Sequence, residues 1–370
     1  MGQTLGQTVG QTVGQTLGQT VGQTVDKTLG LSRSDDLPSA SPAKIVKFFP
    51  NSNQNICMVD DHAHAVHVLD TRSKSHISIP FGGTVFDVEP TTIDHILVSS
   101  RNRPIHLVNI HSQSIKASYT AYSITEEIVH PYSLKSSGDA TRLIGGFPSS
   151  TVRVWDLQVP GRQINDLIFS TRKQTGTLKG IVGAVNFLNP ETILAGTYTG
   201  LFGLFDIRDK DKAMMLGSGC EEKKSPGGIV QILPVPGRNI VVSNHRNSSE
   251  SLLIWDMRKP DLPFATPIRQ FRTQQRSSIG MAHDRFLCYG DDMGKIRVYD
   301  LQSNSLVNEE SSGGHGSPAA CVDVSYDNSC MIVGIGQRIF SNLCGDDSDS
   351  DFEDTTSKPM LSLYNLVANS

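Results

Sequence analysis

Seven short apolar strands in this chain each close on an Asp or an Asn, and their recurrence constrains what the sequence can fold into. The sharpest are Thr151-Val152-Arg153-Val154-Trp155-Asp156 and Leu252-Leu253-Ile254-Trp255-Asp256. Weaker copies end at Asp70, Asn109, Asp206, Asp300 and Asn365, so successive closing residues lie 39, 47, 50, 50, 44 and 65 positions apart.

A common grammar surrounds these strands: a first strand, a polar turn, a second strand, a short loop, then the strand that closes on Asp or Asn. Unbroken apolar runs such as Leu252-Leu253-Ile254 suit a sheet that buries both faces against its neighbours. A unit of this kind returning every forty to fifty residues is the mark of a WD-repeat β-propeller. Seven repeats of about 45 residues take up roughly 315 residues, nearly all of the span from Ala43 to Asn365. The expectation is an all-β, seven-bladed propeller over residues 43–370, preceded by a low-complexity tail and linker over 1–42. Too little chain follows Asn365 for an outer strand and its turn. The last blade is therefore expected to be closed by an N-terminal strand within Val21 to Arg33.

Residues 2–25 are six Gly-Gln-Thr-(Leu or Val) tetrapeptides. Glycine at every fourth position raises the entropy cost of ordering, and the apolar positions match neither a helical nor a strand period. A disordered tail is expected, and Ser32 to Pro42, with Asp35-Asp36, reads as a linker. Gly6 stands where a myristoylation motif needs Ser or Thr. No basic region followed by an apolar core marks a secretory signal, and no apolar run approaches the length of a membrane span. Six scattered cysteines without a C-x-x-C pair argue for reduced thiols. A net charge of −4 confines any nucleic-acid site to a local patch.

In a propeller, the loops between second and third strands share one face with the loops that lead into the first strand. Arg101 and Arg103 of blade 2, His245 and Arg246 of blade 5 and Arg338 of blade 7 fall in loops of the first kind. Arg276 precedes the first strand of blade 6, so the fold would gather all six residues on one rim. Guanidinium groups there suit RNA or ribonucleoprotein recognition, because their forks bind oxygens bidentately and their planes stack on bases. The alternative is that these arginines cap strand ends or pair with acids such as Asp291 and Asp292. Arg162, after the third strand of blade 3, reads as structural.

Residues 345–357 form an acidic insertion in the last blade, and without the six carboxylates between Asp346 and Asp354 the net charge would move from −4 to +2. A calcium loop does not fit, since Phe352 occupies the position of the required glycine and Lys358 that of the bidentate Glu. The insertion reads as a solvated segment that screens the arginine rim, and Ser348 and Ser350, each with an acid three residues on, are candidate phosphorylation sites. His62, His64 and His67 form H-x-H-x-x-H, but His67 falls in a strand and the others in a turn, so no metal is expected. Neither a G-x-S-x-G elbow nor a phosphate loop is present. No enzyme, cofactor or small-molecule substrate is expected.

One set of residues is more specific than the Trp-Asp pairs. Ser100-Arg101-Asn102-Arg103-Pro104-Ile105-His106-Leu107 is followed by Ala117-Ser118-Tyr119, Gly146-Phe147, Val152-Arg153-Val154-Trp155 and Pro160-Gly161-Arg162. Thr84-Val85-Phe86-Asp87 lies upstream, and Gln275-Arg276 and Gly336-Gln337-Arg338-Ile339-Phe340 lie downstream. On this ordered set the chain resembles the WD-repeat family of the telomerase Cajal-body protein and its shorter yeast counterparts associated with pre-mRNA splicing. The resemblance covers about Ile45 to Asn365. Val108 stands where tryptophan is typical, one Gly-His pair (Gly314-His315) survives, and the bare propeller looks more like the yeast members. The resemblance implies a nuclear, non-catalytic factor, a monomer within a larger complex. It would associate with small nuclear ribonucleoproteins and support splicing by stabilising the U1 particle at the 5′ splice site. The second reading is a Cajal-body binder of small RNAs, and the third a protein-interaction scaffold without RNA contact.

Overall fold

The computed structural model describes residues 28–38, 41–60, 62–168, 179–208, 213–217, 227–313, 316–336 and 359–369. Every regular element among them is a β-strand, and the strands form seven sheets. Blade 1 spans 43–80, blade 2 85–120, blade 3 133–168, blade 4 182–206 with 213–217, blade 5 229–256 and blade 6 280–311, and blade 7 combines 319–335 and 360–369 with Thr28–Pro38. The seven strands ending in or containing the closing Asp or Asn are the third strands of these blades. The chain is an all-β, seven-bladed propeller.

Apolar runs bury themselves in the seams between blades. Trp155 packs with Leu97, Ile105 and Tyr119 of blade 2, and Trp255 packs with Ala184, Leu194 and Phe202 of blade 4. Each tryptophan thus fills the seam to the preceding blade, where a side chain of its size buries the most apolar surface. Blade 5 has three strands among the described residues. Its outer edge is covered by an irregular segment in which the Ile254 amide donates to the Ala265 carbonyl at 2.9 Å and the Phe264 amide to the Ile254 carbonyl at 2.9 Å.

The ring is closed by Thr28–Pro38, which pairs antiparallel with Met360–Asn369 from Thr28↔Asn369 to Pro38↔Met360, with a bulge between Arg33 and Asp35. This strand starts inside the expected window, but the stretch from Ser32 read as a linker is strand as far as Pro38. Leu29, 1% exposed, and Leu37, 4% exposed, anchor its two ends in the core. The charged centre between them stays in water, as the outermost strand of a sheet often does. The tail before Thr28, the acidic insertion, Ser348 and Ser350 lie outside the described residues.

Polar links join neighbouring first strands, or in blade 6 the residue two before its first strand, around the axis. The Phe48 amide donates to Asp323 at 2.7 Å, the Leu134 amide to Asp87 at 2.8 Å, the Asn186 amide group to the Ile232 carbonyl at 2.9 Å and the Ser278 hydroxyl to the Val322 carbonyl at 3.1 Å. They surround an axial cavity of about 550 Å³. No helix among the described residues is long and apolar enough to cross a membrane.

Candidate nucleic-acid interface

At one mouth of the axial cavity, a strip of touching aromatic rings is flanked at both ends by cations. The Arg101 guanidinium lies 5.9 Å from the centroid of the Phe86 ring, and the Lys44 ammonium lies 5.5 Å from it. Phe86 stacks on His130 at 4.3 Å and meets Tyr132 edge-on at 5.1 Å. Tyr132 meets Tyr198 edge-on at 6.4 Å, and Arg246 lies 4.0 Å over the Tyr198 ring. Arg276 reaches across from blade 6, donating through Nη1 to the Phe86 carbonyl at 2.8 Å and pairing through Nη2 with Asp87 at 3.1 Å. The four rings are half-buried, so each keeps surface for a stacking partner.

The local sequence explains the alignment. Phe86 is the second residue of the first strand of blade 2, and Tyr132 immediately precedes that of blade 3. Tyr198 and Arg246 immediately follow the second strands of blades 4 and 5. These positions fall on the same edge of every blade. The Asn102 amide donates to His130 Nδ1 at 3.0 Å, which leaves the ring proton on Nε2. Burial, and then the charge of Arg101, push the His130 pKa down and keep the ring neutral.

Among the residues expected on the rim, Arg101, Arg246 and Arg276 are brought together through these rings. Arg103 shares the Arg101 turn and is exposed, its guanidinium lying beside Gly82. Arg338 lies outside the described residues. His245 is a correction, for it is 0% exposed and cannot meet a partner. Its Nε2 lies 2.8 Å from the Ser243 hydroxyl, which accepts from Trp255 Nε1 at 2.8 Å, while its Nδ1 lies 3.0 Å from the Gly227 carbonyl. Burial pushes its pKa down to about 4. Successive side chains of a strand point to opposite faces, so His245 turns inward where Arg246 turns outward. The alternative pairings take other partners: Arg297 binds Asp291 at 2.7 Å, and the Arg272 amide donates to Asp292 at 3.2 Å. Arg162 lies 5.9 Å over the Tyr122 ring. His67 contacts His76 at 3.0 Å, while His62 and His64 are exposed.

The aromatic members and Lys44 escape a reading that searches loops for cations alone. Their positions flanking first and second strands were a usable signal, and Phe86 stood inside the motif Thr84-Val85-Phe86-Asp87.

Beneath the strip lies a charged layer. Lys47 pairs with Asp87 at 3.4 Å and Glu89 at 2.9 Å, and Lys135 pairs with Glu89 at 2.6 Å. Burial would raise the pKa of both acids, but Arg276 and Lys47 around Asp87, and Lys135 and Lys47 around Glu89, hold them below the carboxylate range. Asp323 is the exception. Burial pushes it up to about 6, against the amides of Phe48 and Val324 and the more distant charge of Lys47. Its contribution to stability is full below the ordinary carboxylate range and is lost as pH rises through about 6. Asp323→Asn should therefore stabilise the fold by about 2–3 kcal/mol at pH 8 and by almost nothing at pH 3. Urea unfolding at both values measures this, and equal effects would show that Asp323 is ionised normally.

Comparison with known proteins agrees with the resemblance seen in the sequence. The chain is 29% identical to telomerase Cajal body protein 1 of Mus musculus over 231 residues, covering 60% of this chain and 41% of that protein. It is 27% identical to the Homo sapiens protein over 282 residues, 70% and 48% respectively. With the Drosophila melanogaster homolog it shares 26% over 255 residues, 63% and 43%. The aligned region spans less than half the length of these three relatives. No family model matches the chain.

Proposed function

We propose that this chain is a non-catalytic nuclear WD-repeat factor that binds a small RNA or its ribonucleoprotein, in the manner of a Cajal-body protein. The observation that carries this reading is the strip from Arg101 through Phe86, Tyr132 and Tyr198 to Arg246. Rings stack on unpaired bases, and the guanidinium groups beside them neutralise phosphates. The names of the relatives, telomerase Cajal body protein 1, support a nuclear small-RNA setting. They favour it over a role at the 5′ splice site, which rests on the likeness to the yeast members alone. A non-catalytic role is supported by the axial acids, since Asp87 and Glu89 are held by Lys47, Lys135 and Arg276.

The test is a titration of labelled small nuclear RNA against the full chain over a range of salt. The triple variant Arg101→Ala, Arg103→Ala and Arg246→Ala should lower the slope of log affinity against log salt by about 2, as for three lost phosphate contacts to a single strand. Tyr198→Ala should weaken binding about tenfold with the slope unchanged. A slope that the triple variant does not alter would leave the propeller as a protein scaffold. Arg276 is spared because it also holds the blades together.

A further inference from the structure

We infer that Ser34 is a phosphorylation site on the strand that closes the ring, and that a phosphate there loosens the closure. This stands independently of what the propeller binds. Thr28–Pro38 is the outermost strand of its sheet, already extended, with Ser32 to Asp36 exposed between the buried Leu29 and Leu37. Ser34 falls at the bulge and has no partner in the ladder, which steps from Arg33↔Tyr364 to Asp35↔Leu363. Lifting it from the sheet breaks less pairing than lifting its neighbours. The sequence Ser34-Asp35-Asp36-Leu37 places acids one and two residues after the hydroxyl, and not at the third position that Ser348 and Ser350 offer, so the kinase it suits is one that reads acids directly after the acceptor. In the transfer, the Ser34 oxygen takes the terminal phosphoryl group of a nucleoside triphosphate. The bond to the bridging oxygen breaks, the hydroxyl proton passes to the kinase base and a nucleoside diphosphate leaves.

The consequence follows from what the hydroxyl and its neighbours do now. Ser34 donates to the Leu363 carbonyl at 3.1 Å, which a phosphoester oxygen cannot do. Arg33 grips Asp36 through Nε at 3.0 Å and Nη2 at 2.6 Å, and donates from Nη1 to the Ser312 carbonyl of blade 6 at 2.9 Å. The Ser362 hydroxyl donates to the same Asp36 at 2.8 Å. A phosphate carrying about −1.5 to −2 charges repels Asp35 and Asp36 and competes with Asp36 for Arg33. Both ties from the closing strand to blades 6 and 7 weaken together.

The full chain is incubated with ATP and a protein kinase that reads acids directly after the acceptor, and the phosphate is mapped by mass spectrometry. Amide exchange over 28–38 is then compared in the phosphorylated chain, Ser34→Ala and Ser34→Glu. Phosphate on Ser34 is expected, with exchange at least tenfold faster in the phosphorylated chain and in Ser34→Glu than in Ser34→Ala. The alanine variant controls for loss of the hydrogen bond alone. Should Ser34→Glu fail to fold, the phosphorylated native chain supplies the same comparison. Phosphate found only on other residues, or exchange no faster than in Ser34→Ala, overturns the inference.

Discussion

Trp255→Ala should cost about 3–5 kcal/mol of stability, the range for removing a large aromatic from a packed core. Trp255 is 0% exposed and is set edge-on to Phe202 of blade 4 at 4.9 Å, so its loss opens the seam between blades 4 and 5. It also removes the donor that begins a relay from Trp255 Nε1 through the Ser243 hydroxyl and the His245 ring to the Gly227 carbonyl. Trp255→Phe keeps most of the volume and breaks only the first link. It should cost about 1–2 kcal/mol, the penalty for leaving the Ser243 oxygen without its donor. Urea unfolding followed by circular dichroism separates the two costs. A loss below 1 kcal/mol for alanine would mean that the seam is held elsewhere.

Asp87→Asn should cost about 2–4 kcal/mol at neutral pH. Removing one partner of a buried ion pair strands the other, but here Lys47 retains Glu89, and the Arg276 side chain keeps 23% of its exposure. One carboxylate accepts from the Leu134 amide and pairs with Lys47 and Arg276, so blades 1, 2, 3 and 6 all lean on it. Adding Arg276→Gln should cost much less than it does alone, because the two residues share one interaction. The pH dependence runs opposite to that of Asp323. The folded pKa of Asp87 is lowered, so its stabilisation is present above the carboxylate range and disappears as pH falls through the folded value. The asparagine variant should therefore lose less stability on acidification than the parent. Additive costs in the double variant would show that Asp87 and Arg276 do not act on one another.

How much of this was legible in the chain depends on the range of the interaction involved. Third strands announce themselves through Trp-Asp and its relatives because their pattern is local. Arg101 and Arg246 were found because a loop position fixes which edge of a blade a residue occupies. His245 was misplaced because one residue of offset at a strand end reverses the side chain's direction, and composition cannot show where the strand stops. The closing strand was placed roughly, but its charged centre made residues from Ser32 onward look like a linker. The rings of Phe86, His130, Tyr132 and Tyr198 carry no charge and read individually as core.

By itself the sequence determined the all-β architecture, the number of blades and the edge on which the arginines lie, since each follows from a repeat unit that pairs mainly with itself. Only the tertiary structure decided that Arg276 would span the axis to Phe86, 190 residues away, that four rings would touch in series, and that Thr28–Pro38 would seal the ring. Such contacts form between blades, where the angle at which each sheet meets the next sets the distance, and that angle is fixed only when all seven close on one another.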